Sequence, residues 1–163
     1  MQPDNKFDLI VVGAGHSGIE AALAAAKRGL KVALFTIKIE AIGRMSCNPS
    51  IGGPAKGHLA REIDALGGEI AKSADLSGIH FRMLNRSKGP AVWAPRSQND
   101  RQKYHLLMRE AVEKQENIHL IEAIIEEIIV ENGCVKGVIS QIGQGYYAPS
   151  VILATGTFLQ GKI

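Results

Sequence analysis

Three glycines, Gly13, Gly15 and Gly18, form a GxGxxG string within VVGAGHSG, and Ala14 sits inside it. This pattern binds phosphate without a charged side chain. The first glycine permits a tight turn, the second lets an anion approach the backbone, and the third lets a helix pack closely on a sheet. A helix N-terminus just behind such a turn offers N–H groups and a partial positive charge to a pyrophosphate. The bare string is weak, but its context is specific. Leu9 to Val12 reads as a strand, Ala22, Leu23 and Ala26 as a helix, and Val32 to Phe35 as a second strand.

A dinucleotide is the expected ligand, and this unit alone does not choose which one. The pattern calls for an acid about 20 positions on, to hold the ribose hydroxyls. Here the second strand ends at Thr36, and Glu40 is the nearest acid afterward. Either Thr36 replaces the acid or Glu40 reaches back from the loop. Lys38 suits a 2′-phosphate or simple solvation. FAD and a nicotinamide both stay open at this point.

A second constellation surrounds Cys47, in the stretch IKIEAIGRMSCNPSIGGPAKGH at 37–58. Its glycines and prolines interrupt regular structure. The loop follows the second strand, at the sheet edge where doubly wound folds place ligands. Arg44 and Lys56 lie close in sequence and can depress a thiol pKa, which suits a nucleophilic or redox cysteine. A small buried residue in a tight loop fits the same residues. Cys134, beside an Asn-Gly turn, reads as structural.

Charge is uneven along the chain. Residues 38–109 carry twelve Lys and Arg against six Asp and Glu, so this segment can present a basic surface to phosphates. Arg82, Arg86, Lys88 and Arg96 alternate there with Phe81, Trp93 and Tyr104. Cations among aromatics suit RNA or a folded nucleotide. They also suit a packed loop with snorkelling arginines.

The elements that must position these groups follow in order. HLAREIDAL at 58–66 puts Leu59, Ile63 and Leu66 on one helical face, and Gly67-Gly68 ends it. Pro90 and Pro95 argue against a continuous helix beyond. Asn99 or Asp100 caps a helix with the stripe Tyr104, Leu107, Met108, Ala111 and Val112. Ile118 to Ile121 is a short strand. Ile124 to Val130 and Cys134 to Ser140 form a hairpin about Asn132-Gly133, and Tyr146-Tyr147 begin a further strand. Ser150 to Ala154 runs into Thr155-Gly156-Thr157, whose glycine lets the backbone approach a cofactor. The expected fold is α/β, a Rossmann-like FAD-binding fold of the glutathione-reductase type with a small antiparallel meander. Residues 1–163 read as one N-terminal FAD-binding domain, incomplete at its C-terminus, with 37–109 a basic glycine-rich insertion.

Composition narrows the classes further. With 45% hydrophobic and 21% charged residues, the 163-residue chain supports one ordinary soluble domain. No apolar run is long enough for a membrane span. The polar start shows no secretory signal, and two cysteines make no disulfide framework, so a cytoplasmic setting is expected. No metal site is expected. No second glycine fingerprint appears, so any nicotinamide site lies elsewhere.

Four stretches carry a resemblance: VVGAGHSGIEAALAAAKRG at 11–29, GRMSCNPSIGGPAKGHLAREIDALGGE at 43–69, RMLNRSKGPAVWAPRSQNDRQKY at 82–104 and VILATGTFLQGK at 151–162. Together they resemble the N-terminal FAD-binding region of the MnmG/GidA family, the large flavin subunit of tRNA uridine 5-carboxymethylaminomethyl modification. The resemblance implies FAD-dependent chemistry at C5 of the wobble uridine. Methylenetetrahydrofolate would supply one carbon, glycine or ammonium the amine, and NADH the reducing equivalents. It also implies a homodimer working with tRNA and an MnmE-like GTPase. Cys47 falls on the family's CNP stretch and becomes the candidate catalytic thiol. Gly13, Ala14, Gly15, Gly18, Thr36, Thr155 and Gly156 are expected at the cofactor. Lys56, Arg61, Arg82, Lys88, Arg96 and Arg101 are expected at tRNA, folate or flavin. The 163 residues alone are expected to be inactive. Rival readings are an FAD/NAD(P)H oxidoreductase acting on a small molecule, a folate-dependent tRNA methyltransferase, and a non-enzymatic RNA- or nucleotide-binding module.

Overall fold

The computed structural model describes residues 5–45 and 48–159. It divides into two compact units, one of residues 1–43 with 112–163, the other Arg44–Ala111.

The first unit is built on a parallel sheet. Strands β1 (Leu9–Val12), β2 (Val32–Thr36), β6 (Ile118–Glu122) and β10 (Val151–Leu153) lie in the order β10-β1-β2-β6. Helix α1 (His16–Ala26) joins β1 to β2. Every residue of β2 is buried, which is why VALFT is apolar without alternation. One sheet face takes Ile10, Ala33 and Phe35. Against it pack Val138, Ala148 and Tyr146 from a meander of β7 (Ile125–Glu131), β8 (Cys134–Ser140) and β9 (Gly145–Tyr147). Tyr146 meets Phe35 edge to face at 4.9 Å. The other face takes Val11 and Leu34, and α1 buries Ile19, Ala22, Leu23 and Ala26. Asn132 and Gly133 both have positive φ, the geometry a tight hairpin turn requires. The sequence-based meander and returning parallel strand are present. Cys134, read as structural, is exposed.

The second unit holds an antiparallel sheet of β3 (Ser50–Gly52), β4 (Gly78–Leu84) and β5 (Ala94–Asn99), with β5 central. Two helices accompany it, α2 (Lys56–Ala65) and α3 (Ile70–Ser77). Sequence reasoning anticipated α2 and its end at Gly67, but not α3 or the strands. The strands carry Gly78, Arg82, Pro95, Arg96 and Ser97 in place of a clean apolar alternation, so the period-2 signal is weak. Of the expected stripe, Ile63 is half-buried, whereas Leu59 on α2 and Leu66 at its C-cap are exposed.

Asn99 joins the pieces of this unit. Its Nδ2 donates to the Ala74 carbonyl at 2.6 Å and to Ser77 Oγ at 3.0 Å, while Ser97 Oγ donates to its Oδ1 at 2.9 Å. Asp100 caps α4 (Arg101–Lys114), accepting the Lys103 N–H at 3.0 Å. Of the expected stripe, Tyr104, Met108 and Val112 are buried.

Candidate functional site

The glycine turn sits at the carboxyl end of β1, and each glycine meets a different environment. Gly13 has φ +109°, and a side chain there would run into the Ala154 carbonyl at the end of β10. Gly18 lies against the Gly13 carbonyl, again with no room for a methyl group. Gly15 differs: nothing lies within 4 Å of where its side chain would be. Two glycines thus close the turn onto the sheet, and the third leaves open space at the start of α1. No side chain caps α1, so its first N–H groups are not consumed by a capping residue. This arrangement fits a pyrophosphate.

The neighbouring predicted residues gather here. Ala14 is buried, and its carbonyl accepts the Gly43 N–H at 3.0 Å, which ties the loop after β2 to the turn. Thr155 is half-buried, with its backbone nitrogen 3.3 Å from the side-chain position of Gly13. Gly156 has φ +59° and open space around it. Thr36 is buried at the end of β2, and its hydroxyl donates to the Lys38 carbonyl at 3.1 Å. Glu40 is exposed in a short 3-10 helix, Ile39–Ala41.

Sequence reasoning missed two residues at this edge. Ala154 supplies the carbonyl that enforces Gly13. Glu122 pairs in register with Thr36, and its carboxylate accepts the Ile39 N–H at 2.8 Å. It therefore brings an acid beside the strand end that lacks one. Only the pairing of β2 with β6 reveals it, since Glu122 is far from Thr36 in sequence. His16, the first residue of α1, is pushed below its ordinary pKa by burial, with Glu20 opposing that shift.

The basic candidates lie in the second unit and do not form one cluster. Lys56 and Arg101 open α2 and α4, and both are exposed. Lys88 is exposed in the 3-10 helix Arg86–Lys88. Arg61 on α2 borders a cavity of about 300 Å³ with Asp75, Phe81, Met83 and Pro95. Arg82 and Arg96 border that cavity too, while strand alternation sets their side chains on the sheet face opposite those of Phe81, Met83, Pro95 and Ser97. The bond from Arg96 Nη2 to Ser50 Oγ, 3.2 Å, lies on that opposite face. Cys47 lies outside the described residues. Among the described residues there is no group of His, Cys, Asp and Glu able to hold a metal ion, and no helix is long and apolar enough to cross a membrane.

Comparison with known proteins places this geometry. Residues 8–163 match the family described as glucose inhibited division protein A. Over all 163 residues the chain is 60% identical to the tRNA uridine 5-carboxymethylaminomethyl modification enzyme MnmG of Thermodesulfovibrio yellowstonii, covering 26% of that protein. It superimposes on Aquifex aeolicus GidA with a TM-score of 0.92 and 49% identity, over 97% of this chain and 26% of that one. A probable FAD-dependent monooxygenase of Pseudomonas aeruginosa, PqsL, shares the fold alone, with a TM-score of 0.61 at 14% identity over 90% of this chain and 41% of that one. The chain thus spans about a quarter of the length of the curated relatives it matches.

Proposed function

The chain belongs to the glucose inhibited division protein A family, and from that premise we propose that its full protein is an FAD-dependent enzyme of tRNA modification. The carrying observation is the 60% identity to an MnmG protein across every residue of this chain. The closed Gly13–Ala154 contact beside the open space at Gly15 gives that identity a chemical meaning. The fold is then of the glutathione-reductase type. Gly13, Ala14, Gly15 and Gly18 seat the pyrophosphate at the start of α1, Thr155 and Gly156 flank it, and Thr36 stands at the ribose end. Bound there, FAD supplies redox chemistry, with NADH as reductant from a site outside this chain.

The target is C5 of the wobble uridine, which receives a carboxymethylaminomethyl or aminomethyl group. Methylenetetrahydrofolate provides the carbon and glycine or ammonium the amine, in concert with an MnmE-like GTPase. Uracil C5 is a poor nucleophile until C6 is attacked. The Cys47 thiolate adds to C6, the electron pair moved to C5 forms the bond to the folate's methylene carbon, and loss of the C5 proton then expels the thiolate and restores the C5–C6 double bond. Lys56, Arg61, Arg82, Lys88, Arg96 and Arg101 serve tRNA, folate or flavin. The enzyme acts in the cytoplasm as a homodimer, and the 163 residues alone turn over no tRNA.

The test uses full-length protein with FAD, NADH, methylenetetrahydrofolate, glycine, GTP, the GTPase partner and unmodified tRNA, followed by mass spectrometry of the wobble nucleoside. A carboxymethylaminomethyl adduct supports the reading. Flavin reduction with unaltered tRNA refutes it and favours a small-molecule oxidoreductase. In the same assay, Cys47→Ser abolishes the adduct while FAD binding stays near normal; retained turnover removes Cys47 from the mechanism.

A further inference from the structure

On one face of the three-stranded sheet of the second unit, two adjacent rows carry the donors of Arg82, Arg96, His80, Gln98 and Ser50. In the first row Gly52, Arg96 and Arg82 stand side by side across β3, β5 and β4. In the second row stand Ser50, Gln98 and His80. His80, Arg82 and Gln98 are exposed, and Arg96 and Ser50 are half-buried. Neither row contains a carboxylate.

Arg82 and Arg96 are directly opposed in register, an arrangement that is destabilising for like charges. Arg96 donates to the Ser50 hydroxyl, a neutral partner. Among the described residues neither guanidinium meets a carboxylate. Gly52, in register with Arg96 on its other flank, adds no side chain to the row. Its φ of +99° and the Pro95 carbonyl beneath it exclude a side chain there. Two planar, permanently charged forks therefore stand adjacent on an open surface. An anion with several acceptor oxygens placed between them turns their repulsion into paired charge-assisted bonds.

We propose that Arg82 and Arg96 hold a phosphate group between them, with His80, Gln98 and Ser50 as the adjoining donors. The exposed positions His80, Arg82 and Gln98 on this face suit an extended phosphodiester chain such as RNA, and this inference rests on the RNA-modifying reading above. Arg61, Arg82 and Arg96 all border the cavity that Asp75 lines, and it is the strand register that sets the side chains of Arg82 and Arg96 on the opposite sheet face.

The experiment titrates full-length, FAD-loaded protein against a fluorescent anticodon stem-loop RNA at several salt concentrations, and measures FAD affinity on the same preparations. The variants are Arg82→Gln, Arg96→Gln, the double variant, and Arg82→Lys with Arg96→Lys. The double Gln variant is expected to weaken RNA binding about tenfold at low salt and to reduce the slope of log K against log salt by about one. The double Lys variant keeps the slope with weaker binding, because the charge remains and the fork is lost. A fall in FAD affinity with RNA binding unchanged overturns the clamp, because the flavin's pyrophosphate is seated at the start of α1. Unchanged RNA affinity, slope and FAD affinity in the double Gln variant overturn it. The binding assay requires no turnover, so the clamp and the enzymatic reading fail separately. Unmodified tRNA with a lost salt slope removes only the reaction, and normal modification with normal binding by the variants removes only the clamp.

Discussion

Glycine does opposite work in the two units of this molecule. In both, a backbone carbonyl fills the place a side chain would occupy. Ala154 does so at Gly13, and Pro95 does so at Gly52 and Gly57. In the first unit the closed turn leaves one glycine, Gly15, facing open space. In the second unit the closed glycines fix α2 and β3 onto the sheet, and the open face belongs to arginines. Gly53 in the second unit is nearly as uncovered, meeting only Leu84 at 4.0 Å, but its φ of +102° requires glycine, whereas Gly15 has an ordinary backbone and open space together. Gly52 and Gly57 instead mark close backbone packing.

The contrast can be broken most forcefully at the closed positions. Gly18→Ala forces a methyl group into the Gly13 carbonyl, and Gly13→Ala adds an unfavourable φ; each is expected to cost about 3 kcal/mol of stability. Chemical denaturation reads this, and an unchanged midpoint would show that the turn relaxes freely. In the second unit, Asn99→Ala removes its buried bonds to the Ala74 carbonyl and to the Ser77 and Ser97 hydroxyls, with Ser77 keeping its bond to the Ser73 carbonyl, and about 2 kcal/mol is expected to be lost.

A smaller effect concerns pH. His16 has a folded pKa below 6.5, so the unfolded chain binds the proton more readily. Its contribution to stability is fully present above pH 6.5 and is lost as pH falls through the lowered folded value. His16→Asn should flatten the acid limb of a thermal-unfolding profile between neutral pH and pH 5; an identical limb would assign the loss to other groups. Smallest of all, Leu66→Ala at a position 90% exposed should change stability by less than about 0.5 kcal/mol.

The first unit was legible because its signals are local. The strand-turn-helix of Leu9 to Ala26 and the Asn132-Gly133 hairpin each fit within one stretch of chain, and β10 was marked by its apolar run. The second unit was not. Strands β4 and β5 alternate poorly, α3 is short, and its Asn99 network joins residues 22 and 25 positions apart. The cofactor edge was half legible. The glycines declared themselves, but Ala154 and Glu122 acquire meaning only through strand pairing. The six basic candidates could be counted in the sequence, yet the register was needed to separate Arg82 and Arg96 from Arg61. Cys47 remains a proposal from its motif and chemistry.

The most direct measurement is flavin retention by full-length Gly15→Ala, read beside its unfolding temperature. Gly15 has φ −76° and ψ −178°, which alanine adopts readily, and its side-chain position is open. The predicted result is an unfolding temperature of the flavin-free protein equal to that of wild type, with FAD affinity at least about tenfold weaker. Wild-type FAD affinity in that variant would contradict the assignment of the open space at Gly15 to the pyrophosphate.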